Sequence, residues 1–167
     1  MLPRRRGSAR TRQAASDTNG NTVSMKIIVI NGPNLGRLGQ RLPEVYGHET
    51  AASLMERLSR SFPDVEFRYF QSNCEGEIIN IIEREAYADD VRGVVINPGA
   101  YTHYSYAIAD AIEAAPCPFV EVHISNIYAR EEFRSRSVTA PQCRAMVAGM
   151  GIGGYEAAVR YLLICDD

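Results

Sequence analysis

The segment 29–47, VINGPNLGRLGQRLPEVYG, combines residue types that could remove a proton from a substrate. It places Asn34, Arg37, Arg41 and Tyr46 in one glycine- and proline-rich loop after an apolar run. A free tyrosine has a pKa of about 10, so using it as a base near pH 7 costs about 4 kcal/mol. Nearby guanidinium groups stabilise the phenolate and reduce that cost. The loop is a candidate for acid–base chemistry, and an ordered surface loop with solvated arginines is an equally good explanation of it.

The elements that must position this loop follow an alternating pattern. From Met25 onward, short apolar runs alternate with amphipathic helical patterns, which is typical of βαβ units around a parallel sheet. The pattern predicts an α/β, flavodoxin-like fold, with a five-stranded parallel sheet of order 2-1-3-4-5 and helices on both faces. The predicted strands are residues 26–31, 65–71, 93–97, 119–124 and 145–149.

Four helices are predicted from one apolar face each. Their apolar residues are Leu54, Met55, Leu58 and Phe62; Ile78, Ile79, Ile82 and Ala86; Ile108, Ala111, Ile112 and Ala115; and Ala158, Val159, Leu162 and Leu163. The segment 125–137 is too charged to pack along its whole length, so we expect a loop or a short helix there.

Polar residues gather after the first, third and fourth predicted strands, in segments 31–46, 97–103 and 123–134. In this strand order those three strands are neighbours, and ligands bind beyond the carboxyl ends of such strands near the reversal in order. His103 and His123 both fall in these segments. We therefore expect them to approach Arg41 and Tyr46, although a hydrogen-bonded structural role is the alternative for each histidine.

Several chemistries are disfavoured by the sequence. The chain has one lysine, Lys26, at the start of the first strand and so at the wrong end of the sheet for Schiff-base catalysis. No close metal-ligand spacing is present. The segment 149–154, GMGIGG, matches a dinucleotide-binding fingerprint, but only 13 residues follow it, so we interpret the glycines as packing positions. Metal-free acid–base chemistry by tyrosine and histidine on a small oxygen-rich anion remains.

Composition separates the first 24 residues from the rest. They contain five arginines and one aspartate, and we expect a disordered basic extension, either a presequence or a segment upstream of a start at Met25. Residues 25–167, predicted to form a single domain, carry 13 basic and 19 acidic residues, which does not favour nucleic-acid binding. No run of ~20 apolar residues predicts a membrane span. The four widely spaced cysteines favour reduced thiols and a cytoplasmic location.

Four blocks resemble the motifs of type II 3-dehydroquinate dehydratases, in order and over residues 26–163: NGPNLGRLGQRLPEVYG, QSNCEGEIIN, INPGAYTHYS and EVHISNIYAREEFRSRS. The resemblance implies dehydration of 3-dehydroquinate to 3-dehydroshikimate through an enolate, without metal or cofactor, and a homododecamer of four trimers. It leaves open whether the step serves biosynthesis of aromatic compounds or quinate breakdown. A non-catalytic protein that binds a small anion on the same fold is the alternative.

The resemblance also implies roles for individual residues. Tyr46 would be the base at C2, Arg41 would stabilise its phenolate, and Asn34 would position a water against the enolate oxygen. His123, oriented by Glu121, would protonate the departing C1 hydroxyl.

The remaining implied residues bind or support the substrate. Asn97, His103, Ile124, Ser125 and Arg134 would contact its hydroxyls and carboxylate, Arg130 would lie on a closing loop, and Gly99 would support the site. Asp110 would reach into the site of a neighbouring subunit, whereas the sequence by itself favours a solvated helix residue.

Overall fold

The sheet has the predicted five strands. A computed structural model describes residues 25–38 and 49–165, so the expectations for residues 1–24, Arg41 and Tyr46 lie outside the described residues. The strands are β1 (Met25–Asn31), β2 (Val65–Gln71), β3 (Val91–Asn97), β4 (Phe119–His123) and β5 (Ala145–Ala148).

All pairings between these strands are parallel, and their order is β2-β1-β3-β4-β5, which confirms the predicted topology. Asn31 at the end of β1 is in register with Gln71 of β2 and Asn97 of β3. The carboxyl ends of the three strands therefore meet at one edge, where the order reverses between β1 and β3.

Two helices cover each face of the sheet. They are α1 (Ala51–Ser61), α2 (Glu75–Glu85), α3 (Tyr106–Ala114) and α4 (Gly153–Ile164). α1 and α4 share one buried cluster with Ile27 and Val29 of β1, while α2 and α3 share the other with Ile28 and Ile30. The alternation along β1 is the period of two that side chains follow on a strand, and it explains why this strand is apolar throughout.

Side-chain hydroxyls mark where two of these helices begin. Thr50 Oγ1 accepts a hydrogen bond from the backbone N–H of Ser53 at 3.1 Å, and Ser53 Oγ accepts from the Thr50 N–H at 2.9 Å, so α1 starts with a capping box. Ser105 Oγ caps α3 in the same way, accepting from the Ile108 N–H at 3.0 Å. The cap of α3 follows directly after the polar segment 97–103, so it helps to anchor that segment.

The differences from the predicted boundaries are small. β3 begins two residues earlier than predicted, at Val91, and β4 and β5 each end one residue earlier. The charged segment 125–137 contains two short 3-10 helices, Ile127–Ala129 and Glu132–Ser135, in agreement with the expectation of a loop or short helix.

The glycine motif before α4 is a packing feature. Gly149 and Gly151 have positive φ, which glycine adopts without steric cost. A Cβ on Gly154 would lie 3.3 Å from Val122 Cγ1 and 3.4 Å from Val147 Cγ1, so α4 approaches β4 and β5 closely because side-chain bulk is missing there. In residues 25–38 and 49–165, no helix is long and apolar enough to cross a membrane.

Candidate active site

A cavity of about 180 Å³ opens beyond the carboxyl ends of β1, β3 and β4. Its walls come from segments 33–38, 97–103 and 123–134, the three polar segments singled out by the sequence. A cavity of this volume has room for several water molecules and suits a small molecule. The cavity wall includes Asn34, Asn97, Gly99, His103, His123, Ile124, Ser125, Arg130 and Arg134.

Asn34 is held in an unusual backbone conformation at the cavity. Its φ of 67° and ψ of 0° are left-handed, a region that residues other than glycine seldom occupy and that is common at functional sites. The backbone N–H of Asn34 donates to Asn73 Oδ1 at 3.0 Å, which fixes the turn. Among the described residues the side-chain amide of Asn34 has no hydrogen-bond partner, so it is available to a ligand or water.

Asn97 lies at the end of β3 with its amide oriented by buried partners. Its Nδ2 donates to the hydroxyl of Tyr155 at 3.0 Å, and its Oδ1 accepts from the Gly99 N–H at 3.2 Å. The Tyr155 hydroxyl in turn donates to Asn31 Oδ1 at 2.8 Å. Burial raises the pKa of Tyr155, so this hydroxyl stays neutral. One amide hydrogen of Asn97 remains for a ligand.

His123 is joined to a buried carboxylate. His123 Nε2 lies 2.7 Å from Glu121 Oε1, and the two side chains are 6% and 0% exposed. The alternation along β4 puts residues 121 and 123 on the same side of the strand. Because the carboxylate accepts the Nε2 proton, Nδ1 is the ring nitrogen left to act on a ligand. This pair has the geometry of a histidine that transfers a proton and is oriented by an acid.

Three hydroxyl groups surround Glu121. Thr102 Oγ1 donates to Glu121 Oε1 at 2.7 Å, Ser137 Oγ approaches the same oxygen at 3.1 Å, and Thr139 Oγ1 donates to Oε2 at 2.5 Å. Burial by itself raises the pKa of Glu121, but the hydrogen bonds from His123, Thr102 and Thr139 together hold it below its usual range. The buried carboxylate is therefore ionised at neutral pH.

His103, on the cavity wall formed by segment 97–103, is held by two contacts. Its Nδ1 lies 2.8 Å from the carbonyl oxygen of Arg136, and its ring meets the Phe133 ring edge-on, with centroids 5.9 Å apart. The carbonyl accepts the Nδ1 proton in the neutral ring, which leaves Nε2 free to accept from a substrate hydroxyl.

The cavity is lined with cationic groups. Arg37, Arg130 and Arg134 contribute to its wall, and no aspartate or glutamate does so among the described residues. Arg134 Nε donates to Glu131 Oε2 at 2.8 Å, while Arg130 Nε lies 3.7 Å from the same oxygen. The terminal nitrogens of Arg134 remain available in the described part of the chain, so the guanidinium can bind a carboxylate.

The structure places some predicted residues elsewhere. Asp110 is exposed on α3 and does not line the cavity. Lys26 pairs with Asp90 at 2.6 Å, at the opposite end of the sheet from the cavity, as its position in the sequence predicted. Within the described residues, no group of three or more histidine, cysteine or acidic side chains could hold a metal ion.

The side chains that orient Glu121 and Asn97 were not predicted from the sequence. Thr102, Ser137 and Thr139 are ordinary small polar residues whose contact with Glu121 depends on three separate segments. Tyr155 lies in an apolar helix face, and its link to Asn97 spans 58 residues of sequence. The one available signal was Glu121 itself, because an acid within a strand of a sheet covered on both faces requires polar partners.

The sequence matches the family model described as dehydroquinase class II over residues 25–163. The chain belongs to the class II dehydroquinase family. A 3-dehydroquinate dehydratase from Caldicellulosiruptor saccharolyticus is 53% identical over 136 residues, which cover 80% of this chain and 93% of the relative.

Solved class II enzymes have the same fold. The type II dehydroquinase from Butyrivibrio crossotus matches with a TM-score of 0.80 and 47% identity, over 85% of this chain and 99% of that one. The type II dehydroquinase from Propionibacterium acnes matches with a TM-score of 0.77 and 45% identity, over 83% and 96%. The flavodoxin-like sheet is therefore that of a class II dehydroquinase.

Proposed function

We propose that this chain catalyses the dehydration of 3-dehydroquinate to 3-dehydroshikimate, a step of aromatic biosynthesis through the shikimate pathway. The observation that carries the proposal is the His123–Glu121 pair on a cavity lined by His103, Arg130 and Arg134 in a chain of this family. The substrate is a small hydroxylated carboxylate, and the cavity offers cations and hydrogen-bonding groups of matching chemistry.

The reaction needs a base that removes a proton from the substrate and an acid that protonates the leaving hydroxyl. Tyr46, as phenolate beside Arg41, removes a proton from C2 to form the enolate, and Asn34 positions a water against the enolate oxygen. His123 then gives a proton to the C1 hydroxyl, which leaves as water. Both Tyr46 and Arg41 belong to the loop outside the described residues.

The other cavity residues bind the substrate. The amide of Asn97, the ring of His103 and the backbone at Ile124 and Ser125 face the hydroxyls, and Arg134 binds the carboxylate. Gly99 has a positive φ of 60°, and a Cβ there would lie 3.2 Å from the Pro33 carbonyl oxygen, so glycine keeps the two cavity segments close. Arg130, on the wall of the cavity, would support the site as part of a closing loop.

The direct test is to add purified protein to 3-dehydroquinate and follow the ultraviolet absorbance of the conjugated enone, without added metal or nucleotide. We expect a rise that His123→Ala abolishes. No rise from folded protein would refute the enzyme and leave a binding protein. Tyr46→Phe separates the two further, since an enzyme loses turnover and keeps affinity for the ligand.

A second test concerns the role of Arg41. If it lowers the pKa of Tyr46 by about 2 units, it favours the phenolate by roughly 2.7 kcal/mol. Arg41→Ala should then move the alkaline-side rise in activity to higher pH. An unchanged profile would give Arg41 another role.

The proposal extends to assembly. A homododecamer of four trimers would bring Asp110, exposed on α3 and away from its own cavity, to the site of a neighbouring subunit. Light scattering of the purified protein should give the mass of twelve chains. A monomer that is fully active would contradict the assignment of Asp110.

Location and domain organisation are also proposed. The four cysteines are free, which suits a reducing compartment such as the cytoplasm. Residues 25–167 would form the catalytic domain, and residues 1–24 a basic extension outside it. Fractionation of the native protein tests the location. The mass of the native protein tells whether the extension is present. Removal of residues 1–24 should leave turnover unchanged.

A further inference from the structure

The two carboxylate oxygens of Glu121, the residue that pairs with His123, have different numbers of hydrogen-bond partners. Oε1 of Glu121 is shared by His123, Thr102 and Ser137, whereas Thr139 is the donor to Oε2 in the described part of the chain. Both Glu121 and Thr139 are 0% exposed, so no bulk water replaces a lost donor. Among the described hydroxyls, Thr139 is therefore the one on which the support of Oε2 depends.

We propose that Thr139 is a positioning residue for proton transfer, keeping Glu121 ionised so that the carboxylate holds the Nε2 proton of His123. An ionised Glu121 stabilises the imidazolium that must give its proton to the leaving hydroxyl. This inference rests on the proposed function, because it assigns Thr139 to the acid half of that reaction.

The surroundings of Glu121 contain few other charges. His123 faces it from its own strand, Thr102 from the segment Gly99–His103, and Ser137 and Thr139 from the segment before β5. The Cys143 thiol is also close, and burial followed by the charge of Glu121 raises its pKa, so it stays neutral. Within these described elements, the hydroxyls and the imidazole are what offset the burial of the charge.

The same hydroxyls join the walls of the cavity. Thr102 precedes His103, and its carbonyl accepts from the Val138 N–H at 2.7 Å, next to both Ser137 and Thr139. Ser137 Oγ also accepts from the Ala140 N–H at 2.8 Å. Ser137 thus has a structural bond of its own, whereas the Thr139 hydroxyl contacts the carboxylate and two neighbouring hydroxyls. This difference makes Thr139 the cleaner site to test.

The experiment compares Thr139→Val, which keeps the shape and removes the hydroxyl, with Thr139→Ser, which restores it. Loss of a hydrogen bond to a buried charge corresponds to a shift of about one to two pH units. We expect the acidic limb of the kcat profile to move upward by that amount in Thr139→Val and to return in Thr139→Ser. Ser61→Ala, which removes a hydroxyl donated to Glu156 at 2.6 Å outside the cavity, is the matched control and should leave the limb unchanged.

A second readout does not depend on turnover. The side-chain carboxyl of Glu121 is followed by carbon-13 NMR in folded protein, assigned by its loss in Glu121→Gln, and should titrate at higher pH in Thr139→Val. An unmoved carboxyl titration, or a fall in kcat at all pH values with the limb unmoved, overturns the proposal. If the carboxyl moves but the wild type has no activity on 3-dehydroquinate, the proposed function fails and the contact stands.

Discussion

At the scale of single residues, Glu121 makes the free energy of unfolding depend on pH in the acid range. Its pKa is depressed in the folded chain, so its ionised form stabilises the fold above the unfolded value of about 4.3. That contribution is lost as the pH falls through the lower folded pKa. We expect the free energy of unfolding of the wild type to fall between about pH 5 and pH 3, and that of Glu121→Gln to fall less, as measured by chemical denaturation across this range.

The control for this prediction is Glu77→Gln, at an exposed carboxylate on α2. The free energy of unfolding of this variant should fall with decreasing pH in the same way as that of the wild type. A Glu121→Gln curve parallel to the wild type would show that Glu121 does not carry the acid dependence.

A second prediction at this scale concerns the contribution of Arg134 to substrate affinity. Its side chain is 23% exposed. Its guanidinium carbon lies 4.6 Å from the centroid of the Phe133 ring, and its Nε pairs with Glu131. A hydrogen bond to a charged group contributes about 1.5–3 kcal/mol, so Arg134→Ala should raise KM by roughly 10- to 100-fold. Steady-state kinetics measure this. Arg60→Ala, at an exposed pair on α1, should leave KM unchanged, and an unaltered KM in Arg134→Ala would remove Arg134 from the carboxylate site.

At the scale of elements, α4 reaches the site through a single hydroxyl. Tyr155 lies in its first turn and bonds to both Asn31 at the end of β1 and Asn97 at the end of β3. Tyr155→Phe leaves two buried amide groups without that partner, so we expect it to lower the free energy of unfolding by about 1–3 kcal/mol and to raise KM. Denaturation and kinetics on the same preparation measure the two effects.

Tyr161→Phe is the matched control on the same helix. Its hydroxyl has no hydrogen-bond partner among the described residues, and its side chain is half-buried, so both measurements should stay at wild-type values. A Tyr155→Phe enzyme with lowered stability and unchanged KM would confine the hydroxyl to a structural role.

At the scale of the whole molecule, the role of Asp110 distinguishes an active site shared between two subunits from one built within a single chain. Asp110→Ala and His123→Ala should each be inactive or strongly impaired. When the two variants are coexpressed and form mixed oligomers, some sites combine the intact His123 of one chain with the Asp110 of its neighbour. Activity should therefore reappear. We would measure turnover of the purified mixed oligomer. A mixed oligomer no more active than its parents would place Asp110 outside the neighbouring site.

Much of the architecture could be predicted from local patterns. The continuous apolar runs of β1 and β3 predicted buried parallel strands, and the polar residues after them predicted the edge at which the cavity opens. These inferences succeeded because burial on both faces and the chain direction of parallel strands leave a direct mark on residue order. The strand ends were less exact, since hydrogen bonds to neighbouring strands set them.

The sequence by itself determined the sheet, its order, the edge of the sheet at which the cavity opens and the position of Lys26 at the opposite end. Tertiary structure alone decided how the site is held: which oxygen of Glu121 Thr139 supports, which hydroxyl orients Asn97, and that Asp110 lies away from its own cavity. The physical reason is range. Periodicity records burial of neighbouring residues, whereas a hydrogen bond about 3 Å long between segments 18 or 58 residues apart leaves no repeating signal in the chain.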